Sequence, residues 1–384
     1  MIFINIIGIG ILAIFLLFII QKKGKVLSDY MLILTIILIS TIFISNLWIS
    51  NGLNDFNFIL EKLPSFYIVP AFLTYSMLLI SDDNKLKKKW WWFGSFAIAF
   101  TIFIFVDFTF LTNYNGDKLE IQHKTPSLFY QFFYRGGNIF VFFALLWYLK
   151  KLKEYRKNLK NDYSYIETIS LTWLRNFTWV YFINNLSILL LSLAFSFLHI
   201  GSLDALYLIV YASIIISLFY LCYNGIRQYT LTEYENYLKQ NGTDLSIRDK
   251  SEKKNIAHST SKYKSSSLSE DEMNNLHIAI KRFFEIDEIY LEPQLKIDEI
   301  ATQLGVTTHK VSQTINTISK KSFYDYVNHY RVEHFKNLLS NPKNRKYTIL
   351  ALGIESGFNS KASLNRIFKG YVGQSPKEFQ KSQF

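Results

Sequence analysis

Cysteine is almost missing from this chain, with Cys222 the single one among 384 residues. A lone cysteine excludes an internal disulfide and any cysteine-based metal cluster. No HExxH helix, phosphate-cradling glycine loop or kinase ATP-site signature is present, so the sequence offers no carrier for zinc hydrolysis or phosphoryl transfer. His329 and His334 stand five residues apart, a spacing that a helix does not bring to one face for a metal. The chain is therefore not read as an enzyme, and neither a metal nor a cofactor is expected. Charge of one sign is also scarce: 30 acidic residues face 42 Lys and Arg, a net charge of +12.

What is present in excess is apolar residues, 50% of the chain, with 17% aromatics. They concentrate before Gly225, in stretches near 2–20, 30–49, 63–80, 90–111, 127–149, 177–198 and 204–225. Stretches of this length suit helices that cross the hydrocarbon core of a bilayer. Seven spans are thus expected in residues 1–225. The first is expected to stay as a helix, because it has no basic start and no small-residue cleavage site, and QKKGK follows it directly.

Basic residues divide sharply between alternate loops. The 21–29, 81–89 and 150–176 loops carry three, four and seven, fourteen in all, whereas the intervening loops carry Lys62, Lys118 and Lys124. Because basic loops stay on the inner side, this split places the N-terminus outside and residue 226 onward in the cytoplasm. Trp90, Trp91 and Trp92 fit an interfacial aromatic belt on that inner face.

Polar groups within spans are costly. Asp107 and Arg135 lie in the outer halves of the fourth and fifth spans, either as the polar end of a site facing the exterior or as an ion pair that fixes helix packing. Asn184 and Asn185 in the sixth span are expected to hydrogen-bond between helices.

After Gly225 the stretch IRQYTLTEYENYLKQNG reads as a polar continuation of the seventh span. A Ser-, Lys- and Asn-rich run follows, expected to be a flexible tether, so 226–268 is juxtamembrane helix and linker. As a coil of about 28 residues it separates its ends by roughly 30 Å.

From 269 to 384 the pattern is helical without strand alternation, so the fold class expected overall is all-α. ATQLGVTTHKVSQTIN (301–316) and GIESGFNSKASLNRIF (353–368) superpose at an offset of 52 residues. Each has a tiny residue, Ala301 or Gly353, then a glycine, Gly305 or Gly357, then Val306 or Phe358 and a capping hydroxyl, Thr307 or Ser360. Glycine ends one helix in the left-handed conformation and the hydroxyl starts the next. Val311 and Ile315, or Leu364, Ile367 and Phe368, form an inward stripe. This is helix-turn-helix spacing, present twice, at 297–317 and 349–370. Residues 305–384 hold thirteen basic and four acidic residues, net +9, against three and nine, net −6, in 269–304. The surplus sits on the repeated hairpins, as phosphate binding requires.

Gly357-Phe358, Ser360, Asn365-Arg366, Phe368-Lys369, Gly373 and Ser375-Pro376, with FYDYVNHYRVEHFKNLL upstream, resemble the DNA-binding domain of AraC/XylS transcription regulators. The resemblance covers about 270–384. It implies two helix-turn-helix units joined by a long helix, here 322–340, placing recognition helices in successive major grooves of double-stranded DNA. Base-facing positions would fall on His309, Ser312 and Gln313 in the first unit and on Lys361, Ala362, Asn365 and Arg366 in the second. Arg or Lys suits the guanine edge and Gln or Asn suits adenine. Leu364 stands where the family usually has Phe, Gly353 where it has Ala, and Lys320 near a customary Gly.

Nothing in 1–225 resembles the family's sugar-binding domain. The chain therefore reads as a membrane-tethered one-component regulator controlled by a signal ligand at its lipid-embedded part. The resemblance adds RNA polymerase as a partner, and a flexible linker is compatible with pairing with a second copy of the chain. The competing reading is a membrane receptor or transporter whose basic cytoplasmic domain serves protein interaction or non-specific nucleic-acid binding; the transporter version lacks a clear inverted repeat.

Overall fold

The computed structural model describes residues 2–49, 55–81, 84–85, 87–90, 92, 94–95, 98–99, 101–102, 112–115, 118–121, 128–198, 203–231, 233–234 and 268–383. These form two compact units. The first comprises Met1–Lys153 and Leu171–Gly242, the second Glu154–Ser170 and Thr243–Phe384.

The first unit is built on helices α1 (Ile2–Gln21), α2 (Leu27–Ile49), α3 (Asp55–Ile80), the first part of α4 (Leu128–Asp162), α5 (Thr172–Leu198) and α6 (Leu203–Arg227). Helix α1 packs on α2 and α6, α2 on α3, and α5 on α6. Leu12, Ile19, Ile36, Phe43, Leu78, Leu145, Leu174 and Leu221 are buried between them. The outward faces are equally apolar: Ile6, Ile7, Ile14 and Phe18 on α1 and Ile183 and Ile216 on α5 and α6 are exposed. A helix that is hydrophobic all round belongs in lipid or in a deep core, and these faces are uncovered by protein.

Among the described residues two helices, Ile2–Gln21 and Leu27–Ser45, are long and apolar enough to cross a membrane by length and composition. Residues 103–111 of the fourth expected span, Asp107 included, lie outside the described residues. Helix α4 carries Arg135, whose side chain is likewise outside the description. It continues past the apolar stretch to Asp162 because KKLKEYRKNLKND is rich in strong helix formers.

Among the described residues the fold is helical with one departure from the all-α expectation. Strands β1 (Thr112–Asn115) and β2 (Lys118–Ile121) pair antiparallel, Thr112 opposite Ile121 and Asn115 opposite Lys118. Asn115 followed by Gly116 is a two-residue hairpin signal, which the sequence analysis did not single out.

Three further differences are local. Helix α6 does not extend as a polar arm but stops at Arg227. The chain then restarts at a capping box, Thr230 N to Glu233 Oε2 at 2.8 Å and Glu233 N to Thr230 Oγ1 at 3.2 Å, because Thr230 competes with the helix for its own backbone. Trp90 is buried inside the bundle instead of lying at its surface. Asn184 accepts from Ser213 of α6 at 3.2 Å, across helices, whereas Asn185 donates to the Tyr181 carbonyl of its own helix at 2.8 Å.

Polar contacts gather the basic loops at one end of this unit. Ser28 and Asn84 exchange hydrogen bonds at 3.1 and 3.2 Å, joining the 21–29 and 81–89 loops. Lys22 pairs with Asp29 at 2.9 Å and with Glu233 at 3.3 Å, and Trp173 donates to Gln228 at 2.7 Å.

The second unit contains α7 (Glu270–Glu285), α8 (Ile297–Leu304), α9 (Thr308–Thr314), a wide π turn at Ile315–Ser319, α10 (Phe323–Ser340), α11 (Ile349–Glu355), α12 (Lys361–Val372) and α13 (Pro376–Ser382). Ser269 starts α7 with a reciprocal capping box to Glu272, and Ser322 caps α10. Helix α10 serves two cores. Phe323, Tyr326 and Val327 pack with Ile280, Phe284, Tyr290, Ile300, Ala301, Val311 and Ile315. Toward its other end, Phe335 meets Phe358 and Phe368 edge-on at 6.1 and 5.4 Å between ring centres. Full burial of one such ring contributes about 1.5–3 kcal/mol.

Candidate nucleic-acid interface

The two hairpins close with the same bonds. After α8, Gly305 adopts φ +64° and Val306 N donates to Ala301 O at 3.0 Å. After α11, Gly357 adopts φ +84° and Phe358 N donates to Gly353 O, again at 3.0 Å. Thr307 Oγ1 then accepts from Lys310 N at 3.3 Å, and Ser360 Oγ from Ser363 N at 3.2 Å, opening α9 and α12. Relative to the 52-residue offset the second cap falls one position later. The extra residue, Asn359, donates to the Pro293 carbonyl at 2.6 Å and ties this turn to the first half of the domain.

Each second helix then divides into an inner and an outer face. In α9, Val311 and Thr314 are buried, His309 is exposed, and Ser312 and Gln313 are half-buried. Ser312 Oγ accepts from Asn316 Nδ2 at 3.2 Å. In α12, Ser363, Leu364, Ile367 and Phe368 are buried, while Lys361, Ala362, Asn365 and Arg366 are all exposed. The four named residues of α12 thus share one outward face at i, i+1, i+4 and i+5, a spacing that presents a cation at each end and an amide between them.

Gly353 and Leu364 explain each other. A Cβ at position 353 would lie 2.5 Å from Leu364 Cδ2, so the branched leucine fills space that the missing methyl leaves. Lys320 adopts φ +53° at the turn before α10, the left-handed conformation that glycine adopts without strain.

Arg366 is not bare. Its Nη2 donates to Tyr324 Oη at 2.9 Å and to the Glu167 carboxylate, both within the second unit. Tyr324 is 4% exposed, and its phenol is pushed up to about 12, by burial first and then by Glu167. Behind this pair lies Arg331, 2% exposed. It donates to the Tyr290 carbonyl at 2.7 Å, the Glu292 carbonyl at 2.6 Å and the Ser164 hydroxyl at 3.2 Å. Burial lowers its guanidinium to about 10, which leaves it charged at neutral pH.

Sequence reading did not single out Glu167, Tyr324 or Arg331. Arg331 carried a signal: it falls on the stripe Phe323, Val327, Arg331, Phe335, where a charge must be buried and therefore satisfied by hydrogen bonds. Glu167 carried none, because its partner is 199 residues away.

A helix-turn-helix domain family model matches residues 300–382, from within α8 to the end of α13, taking in both hairpins and the helix between them. No curated protein and no solved structure matches the chain. The family match supports an AraC-type helix-turn-helix domain, hence a DNA-binding part, at residues 300–382.

Proposed function

We propose that the chain is a membrane-tethered transcription regulator that reads promoter DNA with α9 and α12 under control of its lipid-embedded part. The observation that carries this is the outward face of α12, where Lys361, Ala362, Asn365 and Arg366 project from a helix whose other side is locked into the core. The net charge of +9 over 305–384 supplies the attraction to phosphate. His309, Ser312 and Gln313 form the corresponding set of the first unit. RNA polymerase and a second copy of the chain are its protein partners in this reading.

The membrane part rests on apolar helices with uncovered apolar faces and on the seven-span pattern of the sequence. The gathering of the 21–29 and 81–89 loops with Glu233 at one end is the arrangement that an inward-facing basic side requires. The N-terminus then lies outside and the DNA-binding domain in the cytoplasm. Asp107 and Arg135 are the candidate pair in this part, either the polar end of a site for the signal ligand or an ion pair that fixes helix packing.

Chromatin immunoprecipitation of the full-length protein tests the reading. Enrichment at discrete promoters is expected, and Arg366→Ala should relax preference at one base position, a loss of about 1–3 kcal/mol for a guanine contact. Enrichment without sequence preference, indifferent to Arg366, would instead indicate non-specific binding. For the sensing pair, Asp107→Asn or Arg135→Gln should abolish a reporter response while leaving protein level intact; loss of the protein would assign the pair to packing.

A further inference from the structure

Residues 154–170, the last turns of α4 and the start of the loop that leads to α5, pack as part of the unit that holds the hairpins. Ser164 N donates to the Leu295 carbonyl at 3.1 Å, and Tyr163 forms an antiparallel bridge with Lys296. The Ser164 hydroxyl accepts from Arg331, and Lys160 pairs with Asp325 at 3.4 Å while lying 5.0 Å over the Tyr324 ring. Tyr155 donates to the Ile169 carbonyl at 3.0 Å, closing the segment on itself. So anchored, the segment delivers one carboxylate, Glu167, to Arg366.

A carboxylate and the guanine edge compete for the same donors of a guanidinium. We propose that residues 154–170 are a built-in competitor of DNA: docked, they hold Arg366 through Glu167; withdrawn, they release it for base contact. This rests on the regulator reading above. Because the segment is covalently continuous with α4 and α5, a signal that changes the separation of those helices acts on it directly, without passing through residues 235–267. The signalling route is then the loop between two spans, not the linker that precedes the domain.

The full chain in lipid nanodiscs tests this, using duplexes enriched from a randomised pool by the Glu167→Gln protein. Glu167→Gln should bind them about two- to fivefold more tightly than the parent chain at low salt, the range of a partly exposed ion pair. The gain should vanish in an Arg366→Ala background. In a second variant, Tyr163→Cys with Lys296→Cys, oxidation should tie the segment down and remove discrimination at the base read by Arg366, and reduction should restore it. Equal binding by Glu167→Gln and the parent chain, with Arg366→Ala still relaxing one base, would overturn the competitor and leave the regulator reading standing. Absence of sequence-specific binding by every variant would overturn both.

Discussion

Four single residues show how much of the DNA-binding domain hangs on local geometry. Lys320 sits at φ +53°, where a side chain costs roughly 1–2 kcal/mol, so Lys320→Gly should raise stability by about 1 kcal/mol in urea unfolding. Gly305 and Gly357 share positive φ but not surroundings. A Cβ at 305 meets open space, whereas one at 357 falls 2.6 Å from the Tyr290 carbonyl and 3.0 Å from Arg331 Nε. Gly305→Ala should therefore cost about 1–2 kcal/mol, and Gly357→Ala distinctly more, measured by thermal unfolding. Arg331→Met leaves the Tyr290 and Glu292 carbonyls buried without their cation, with an expected loss of about 3 kcal/mol in chemical denaturation.

At the scale of elements, the hairpins were legible because their determinants are local. Gly305, Gly357, Thr307 and Ser360 act on neighbours within five residues, and the stripes of α9 and α12 follow from a 3.6-residue period. The pairing of Gly353 with Leu364 was not legible as a pair. Each taken alone is a departure from the pattern that the sequence resembles, and only packing reveals that they compensate. Gly353→Ala is expected to lose about 1–3 kcal/mol by overpacking. Combined with Leu364→Val it should lose less than the sum of the two single changes, which a double-mutant unfolding cycle would measure. Helix ends were less legible: α6 stops at Arg227 because Thr230 and Glu233 cap a new start, a competition between two local options that periodicity alone does not decide.

For the whole molecule, alternating basic loops predict a sided arrangement. In the full-length protein in intact cells, a cysteine at Asn113 should react with a membrane-impermeant maleimide, while one at Lys343 should react only after permeabilisation. Labelling of both from outside would remove DNA as the partner. The sequence by itself determined the apolar stretches, the charge asymmetry, the doubled hairpin and the residues of its outward faces, since each is a pattern over neighbouring positions. Only the tertiary structure decided that residues 154–170 fold onto the DNA-binding unit, that Arg331 holds three chain segments together, and that Arg366 already has an acidic partner. The physical reason is distance along the chain: a contact such as Glu167 with Arg366 leaves no periodicity or cap behind, and exists only because two remote backbones are brought together by the core between them.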